Sequence, residues 1–345
     1  MINHEFYIKR CLQIAKNGIG TSRPNPSVGA VITHQNKIIG EGFTSPYGGN
    51  HAEVNAVNSV KNKALLKEAT IYVTLEPCSH FGKTPPCADL LVKHQFKNVV
   101  IGTVDSNDLV AGKGIDRLEK AGINVIVGVL EKECRAHHKR FFTVQEKKRP
   151  YIILKWAQTQ NGFIAPHFKN EQKPVWISNT YSQQLVHKLR SKEHAILVGT
   201  NTAIADNPKL NVRNWSGKNP IRIVLDKSLR IPKSLNVFDG SIKTIVITET
   251  KLEDKKNVIF EEINFSENIA KQICVVLQKH KIQSVIIEGG TQTLQTFIDA
   301  NLWDEATIII GNVLFEKGIK APIIKTKKTK EINIQNDVLK FYKND

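Results

Sequence analysis

The residues of this chain best suited to chemistry are His51, Glu53, Cys78 and Cys87. His51-Ala52-Glu53 stands where a glycine-rich stretch, Gly48-Gly49-Asn50, gives way to a helical pattern. Glu76-Pro77-Cys78 stands at the end of an apolar strand, and Cys87 follows nine residues after Cys78. One imidazole and two thiolates suit zinc and leave its fourth position for water. Zinc lowers the pKa of that water towards neutrality, which makes a nucleophile available. Glu53, two residues past the histidine, is placed to move the water's proton to a leaving amine without ligating. Taken singly, each fragment is weak: a buried Cys is usually a small hydrophobe, and H-x-E arises by chance. All four at element boundaries, in this order, predict a metal site. Cys11, Cys134 and Cys274 have no such context and read as core positions, and His137-His138 reads as a solvated helix face.

These residues need elements to hold them. Residues 3–16 are patterned as an amphipathic helix. Apolar runs at 28–33 and 37–42 flank a turn at Gln35-Asn36, the signature of a hairpin. Helices follow at 52–59, 87–95, 114–121 and from 131 to about 145, with strands at 70–75, 99–102 and 125–129. Glu146-Lys147-Lys148-Arg149-Pro150 is a polar stretch ending in proline, and it divides the chain into expected domains 1–146 and 147–345. Beyond it strands are expected at 151–156, 195–198, 221–225, 243–248, 284–287 and 306–310, with an edge strand at 338–342. Helices are expected near 180–190, 267–280 and 292–300. Strands alternating with helices in both parts indicate α/β domains.

The 345 residues are 41% hydrophobic and 23% charged, which excludes wholesale disorder. The net charge is +17, divided as +5 over residues 1–146 and +12 over 147–345. Such an excess suits a polyanion or a phosphorylated small molecule. No run of about 18 apolar residues is present, so no membrane span is expected. The start of the chain lacks a secretory pattern. Five cysteines are too few for a disulfide framework, and a reducing cytoplasmic setting is expected.

H-x-E followed by P-C and a second Cys is the pattern of zinc nucleobase deaminases, which separate the two cysteines by two residues. Here eight intervene, among them His80, Lys83 and Thr84, donors suited to a polar or phosphorylated substrate. The stretch at residues 74–87 resembles the bifunctional deaminase–reductase family of riboflavin biosynthesis. So do Pro24-Asn25-Pro26-Ser27-Val28-Gly29 and residues 105–114. The resemblance implies a cytidine-deaminase-like three-layer α/β/α domain. It implies zinc on His51, Cys78 and Cys87, Glu53 as proton shuttle, and Asn25 as an amide contact to the base.

The second half has no G-x-G-x-x-G. It has Glu288-Gly289-Gly290-Thr291, a strand running into a Gly pair and a helix, which lets backbone N–H groups approach a phosphate. Gln158-Thr159-Gln160-Asn161-Gly162, Trp176-Ile177-Ser178, Ala205-Asp206-Asn207-Pro208 and Leu210-Asn211-Val212-Arg213 resemble the same family's reductase half. That implies a dihydrofolate-reductase-like fold using NADPH. By position, Ala157, Trp176, Thr202, Asp206, Gly290, Thr291, Gln292, Thr293, Leu294, Gln295 and Thr296 would line the dinucleotide. Arg190, Leu210, Arg213 and Glu288 would face the substrate. Arginine grips phosphate as a bidentate fork, and Lys155, inside an apolar strand, is a further phosphate candidate. Two segments depart from the family: Thr159-Gln160-Asn161 stands for Ser-Leu-Asp, and Lys173-Pro174-Val175 lacks a serine expected shortly before Trp176.

The resemblance implies two consecutive reactions. One is hydrolytic removal of the 2-amino group of 2,5-diamino-6-ribosylamino-4(3H)-pyrimidinone 5′-phosphate. The other is hydride transfer to C1′ of the ring-opened ribosyl group. The expected partner is this small molecule, without nucleic acid or membrane, in a homo-oligomer. A rival reading is a nucleic-acid-editing deaminase with a basic, RNA-binding second half. It calls for two-residue cysteine spacing and interleaved aromatics, whereas aromatics are 7% of the chain. In a third reading one domain has lost its activity. The complete His51/Glu53/Cys78/Cys87 set argues against this for the first domain.

Overall fold

The computed structural model describes residues 3–82, 84–107 and 110–344. Lys83 of the cysteine insert, and Asp108 and Leu109 of the motif downstream, lie outside the described residues. The chain divides into two compact units, Met1–Lys148 and Arg149–Asp345.

In the first unit, α1 (His4–Ala15) precedes β1 (Gly29–His34) and β2 (Lys37–Phe43). Then come α2 (Ala52–Ser59), β3 (Thr70–Val73), α3 (Cys87–Lys93), β4 (Asn98–Ile101) and α4 (Lys113–Lys120). The unit closes with β5 (Asn124–Val127), α5 (Glu131–His137) and α6 (Lys139–Lys147). The hairpin turns through Gln35 and Asn36, both at positive φ (49° and 61°), the backbone that matches strand twist in a two-residue loop. One sheet runs β2-β1-β3-β4-β5, with β1 antiparallel to β2 and β3, and the β3, β4 and β5 pairs parallel. Strand side chains alternate between two apolar layers. Ile32, Ile71 and Val99 pack on Ala52, Ala56, Leu91 and Leu118, from the helices of one face. Val31, Tyr72 and Val100 pack on Tyr7, Ile8, Cys11 and Cys134, from the other. The three α/β/α layers follow directly.

Three readings of this unit change. The helix expected from 131 to about 145 is two helices, broken at His138. His138 is buried, with Nε2 3.0 Å from Thr74 Oγ1, and Nε2 of His137 lies 2.8 Å from the Ser27 carbonyl. The pair therefore fastens the helices to the residue that follows β3 and to the entry of β1; it is not a solvated face. The polar stretch at 146–150 begins inside α6, which stops at Lys148 in a left-handed turn (φ 50°).

The second unit contains β6 (Tyr151–Thr159), β7 (Phe163–Pro166), α7 (Thr180–Lys192), β8 (Ala195–Gly199) and α8 (Thr200–Asp206). Next are β9 (Ile221–Leu225), β10 (Thr244–Thr248), β11 (Val258–Glu262), α9 (Ile269–Lys279) and β12 (Ser284–Ile287). The last are α10 (Thr291–Asp299), β13 (Glu305–Gly311), β14 (Gly318–Lys320), β15 (Lys328–Ile334) and β16 (Asp337–Lys343). A nine-stranded sheet runs β11-β10-β9-β8-β12-β6-β13-β16-β15, and β7 pairs with β14 apart from it. The strands from β11 to β13 are parallel; β16 is antiparallel to β13 and to β15. Leu154, Leu197 and Ile287 face Leu277, Leu294 and Phe297 of α9 and α10, while Ile196, Val224 and Ile286 face Ala203 and Leu210. Parallel strands covered on both faces explain their near-continuous apolar sequences. The strand expected at the edge, 338–342, is β16 and lies inside the sheet. The lysine-rich β15 takes the edge, because its backbone needs pairing on one side only.

Candidate active sites

In the first unit, the end of β3 and the starts of α2 and α3 meet. His51 is the N-cap of α2, with extended φ/ψ, and Glu53 lies in its first turn. Cys87 is the first residue of α3, and its N–H points at Cys78 Sγ, 3.3 Å away. His51 Nδ1 lies 3.6 Å from Cys78 Sγ and 3.3 Å from Cys87 Sγ, and the three donor atoms all lie within 4.8 Å of one another. Tetrahedral zinc with bonds of about 2.3 Å to sulfur and about 2.0 Å to nitrogen sets N and S about 3.5 Å apart. The three donors therefore fit zinc in both kind and spacing. The Cys78 thiol is pushed down by the hydrogen bond from Cys87 and further by His51. Such a shift favours the thiolate a metal needs. Glu53 is 4% exposed; burial first, and then the neighbouring Cys78, lift its carboxyl to about 7. Asn25 sits in a turn in which its N–H donates to the Ser22 carbonyl and Ser22 Oγ donates to its own carbonyl.

Sequence reasoning passed over Glu76 as a functional residue. Its buried carboxylate accepts four backbone N–H groups, from Asp105, Gly112, Gly114 and Ile115. An acid directly before the Pro-Cys pair was the available signal.

The second unit holds a cavity of about 1130 Å³ bounded by β6, β7, α8 and α10. Lys155, Ala157, Trp176, Thr202, Asp206 and Glu288 line it, and from α10 and its cap so do Gly290, Thr291, Gln292, Leu294, Gln295 and Thr296. Thr293 is not among the lining residues, and its Oγ1 packs beside Gly199. Trp176 is 55% exposed, so it belongs to the cavity's rim and not to the core. Gly289 and Gly290 are required for different reasons. A Cβ on Gly289 would lie 2.7 Å from Val198 Cα, so glycine lets α10 start against β8. Gly290 caps α10 at φ 40° with no side-chain cap bond, which leaves the first N–H groups of the helix to serve a phosphate. This cradle fits a dinucleotide.

At the cavity wall, Glu288 Oε2 accepts from Arg190 at 2.6 Å, and Lys155 Nζ lies 3.6 Å from Glu288 Oε1. Glu288 Oε1 is buried without a hydrogen-bond partner among the described residues, an acceptor suited to a ligand. Burial opposes ionisation of Glu288, but Arg190 and Lys155 outweigh it and hold the carboxyl down at about 2. Arg190 Nη1 and Arg213 Nη1 both reach Asn211, through its carbonyl and its side chain respectively. Neither arginine lines the cavity, and Leu210, 2% exposed, packs in the core. Lys169 pairs with Asp206, and Gln172 donates to the Ile204 carbonyl, so the segment before Trp176 lies across α8. Lys169 belongs to no motif, so the sequence offered no signal for it.

Residues 1–103 match the cytidine and deoxycytidylate deaminase zinc-binding region, and residues 150–336 match the RibD C-terminal domain. The riboflavin biosynthesis protein RibD of Aquifex aeolicus (strain VF5) is 39% identical over 356 residues, covering 98% of this chain and 97% of that protein. Its counterpart in Escherichia coli (strain K12) is 34% identical over 325 residues, covering 89% and 87%. Among solved structures, a diaminohydroxyphosphoribosylaminopyrimidine deaminase/5-amino-6-(5-phosphoribosylamino)uracil reductase from Thermotoga maritima superposes with a TM-score of 0.90 at 35% identity. That match covers 99% of both chains. Acinetobacter baumannii RibD superposes with a TM-score of 0.90 at 30% identity, again over 99% of each.

Proposed function

The chain belongs to the RibD family of riboflavin biosynthesis, and from that membership we infer that it performs two consecutive reactions on one phosphorylated pyrimidine. The observation that carries the first is the His51/Cys78/Cys87 triad with buried Glu53 in the adjoining helical turn. Zinc on that triad supplies the Lewis acidity that makes water a nucleophile at neutral pH. Glu53 accepts a proton from the attacking water and delivers it to the 2-amino nitrogen, which leaves as ammonia. Carbon C2 gains oxygen, and the water's other hydrogen ends on the ring nitrogen. Glu53, buried in the helical turn beside the triad, is placed both to take that proton and to give it up. Asn25 contributes an amide contact to the base.

For the second reaction NADPH supplies a hydride to C1′ of the opened ribosyl group. The N–H groups at the start of α10 hold the dinucleotide's phosphate, with Gly290 as the close-approach residue. Trp176 packs on a flat ring at the rim. Thr202, Asp206, Ala157, Thr291, Gln292, Leu294, Gln295 and Thr296 complete the cofactor groove, while Thr293 turns away from it towards Gly199. Lys155 and Glu288 reach the substrate directly. Arg190 and Arg213 act from behind, adding positive charge for the 5′-phosphate. The family match over nearly the whole chain and the eight-residue insert both disfavour an RNA-editing deaminase.

Thiolate ligands suit a reducing compartment, and we place the enzyme in the cytoplasm as a homo-oligomer, with size-exclusion chromatography as the check. Incubation with the phosphorylated diaminopyrimidine, followed by mass spectrometry, tests both activities. Exchange of NH for O without NADPH, and addition of two hydrogens only with it, is the expected result. Unchanged substrate in the zinc-loaded protein overturns the reading.

A further inference from the structure

We propose that Glu76 is a positioning residue for the metal site: it ties the segment carrying Cys78 to the start of α4 and so fixes both sulfurs. The proposal rests on the zinc reading of that site. Glu76 Oε1 accepts from the N–H of Gly114 at 2.9 Å and of Ile115 at 3.3 Å; Oε2 accepts from Gly112 at 3.0 Å and Asp105 at 3.2 Å. The N-cap of α4 is Gly112, at φ 81°, which has no side chain with which to cap the helix. Glu76 therefore acts as that cap from 36 positions away in the chain. A carboxylate at a helix N-terminus is favoured both by the orphan N–H groups and by the dipole.

The residues around Cys78 are fastened to the same helix. A Cβ on Gly114 would lie 2.1 Å from the Pro77 carbonyl oxygen, so only glycine admits this approach. Arg117 of α4 donates to the Ser79 carbonyl at 3.0 Å and pairs at 3.0 Å with Asp89, two residues beyond Cys87. Residues 76, 77 and 79 bracket one sulfur, and Asp89 follows the other. Four N–H groups also absorb the charge of Glu76 so close to two thiolates. Outer partners that orient metal ligands typically change affinity by about 10- to 100-fold when removed.

The experiment uses the full-length zinc-loaded protein, with Glu76→Gln and Glu76→Ala. Gln keeps one acceptor oxygen but turns an NH2 group towards the remaining N–H donors. Zinc release to a colorimetric chelator should be about tenfold faster in Glu76→Gln, and faster still in Glu76→Ala. The sulfur-to-cobalt charge-transfer band of the Co²⁺-substituted protein should shift in both. Reductase turnover in the same samples should stay within about twofold of the native rate, which serves as the internal control for an intact chain. If Glu76→Ala fails to fold, Glu76→Gln alone decides. Zinc release within twofold of native, with an unshifted cobalt band, overturns the proposal. A native chain that takes up no zinc overturns the functional reading instead.

Discussion

Glu53 and Glu288 are both largely buried acids, and their neighbours move them in opposite directions. Burial and Cys78 raise Glu53 to about 7, whereas Arg190 and Lys155 overcome burial and hold Glu288 at about 2. Glu53→Gln should retain zinc by elemental analysis while deamination falls by about 10² to 10⁴, the usual share of a general acid–base group. Turnover near the native rate would remove Glu53 from the proton path. Cys87→Ala should lose the metal. For Glu288 the sign follows from its lowered pKa. Above the unfolded value of about 4.3 the ion pairs contribute fully to stability, and the contribution is lost as pH falls towards 2. Thermal melts from pH 5 to pH 2 should show a shallower acid limb in Glu288→Gln than in the native chain. Superimposable limbs would mean that the paired carboxylate adds nothing to folding.

At the level of elements, the sequence was most readable where the pattern and the boundary signal agreed. The helix at 52–59 is α2 to the residue, and the hairpin lies within a residue or two of its expected bounds. Missed elements have identifiable causes. Residues 200–206 are rich in Thr and Asn, poor helix formers, and α8 forms by following directly on β8. Strand β15 is heavily charged and pairs at one margin of the sheet, where no continuous apolar run marks it; β11, at the other margin, offers only Val258, Ile259 and Phe260 before two glutamates. The zinc donors were legible because metal chemistry restricts residue type. Glu76 and Lys169 were not, because a hydrogen-bonded acid and a paired lysine look like surface charge until the fold brings their partners. Gly289 illustrates an element-scale constraint that spacing alone half revealed. Gly289→Ala would press a methyl group on the backbone of β8 and should cost about 1–3 kcal/mol. A raised KM for NADPH with near-native deamination is the expected kinetic signature. An unchanged KM would show that the start of α10 does not bind the cofactor.

The whole molecule places two chemistries on two sheets that share no strand. Its charge of +17, which first suggested a polyanion, finds limited specific use: Lys155, Arg190 and Arg213 gather near Glu288, while many lysines stay solvated. Stripping zinc with a chelator should abolish deamination and leave reductase kcat/KM on the deaminated intermediate within about twofold. Parallel loss of both would show that the metal supports more than its own unit. One group of those lysines has a separate consequence. Lys328 and Lys330 are exposed along β15, at the open margin of a nine-stranded sheet. Unpaired backbone at such a margin can recruit a strand from another chain, and charge there raises the cost of doing so. Replacing both lysines with valine should leave catalysis intact but produce light scattering on mild heating, which the native protein should resist. Part of the basic excess, on this account, guards the chain against aggregation.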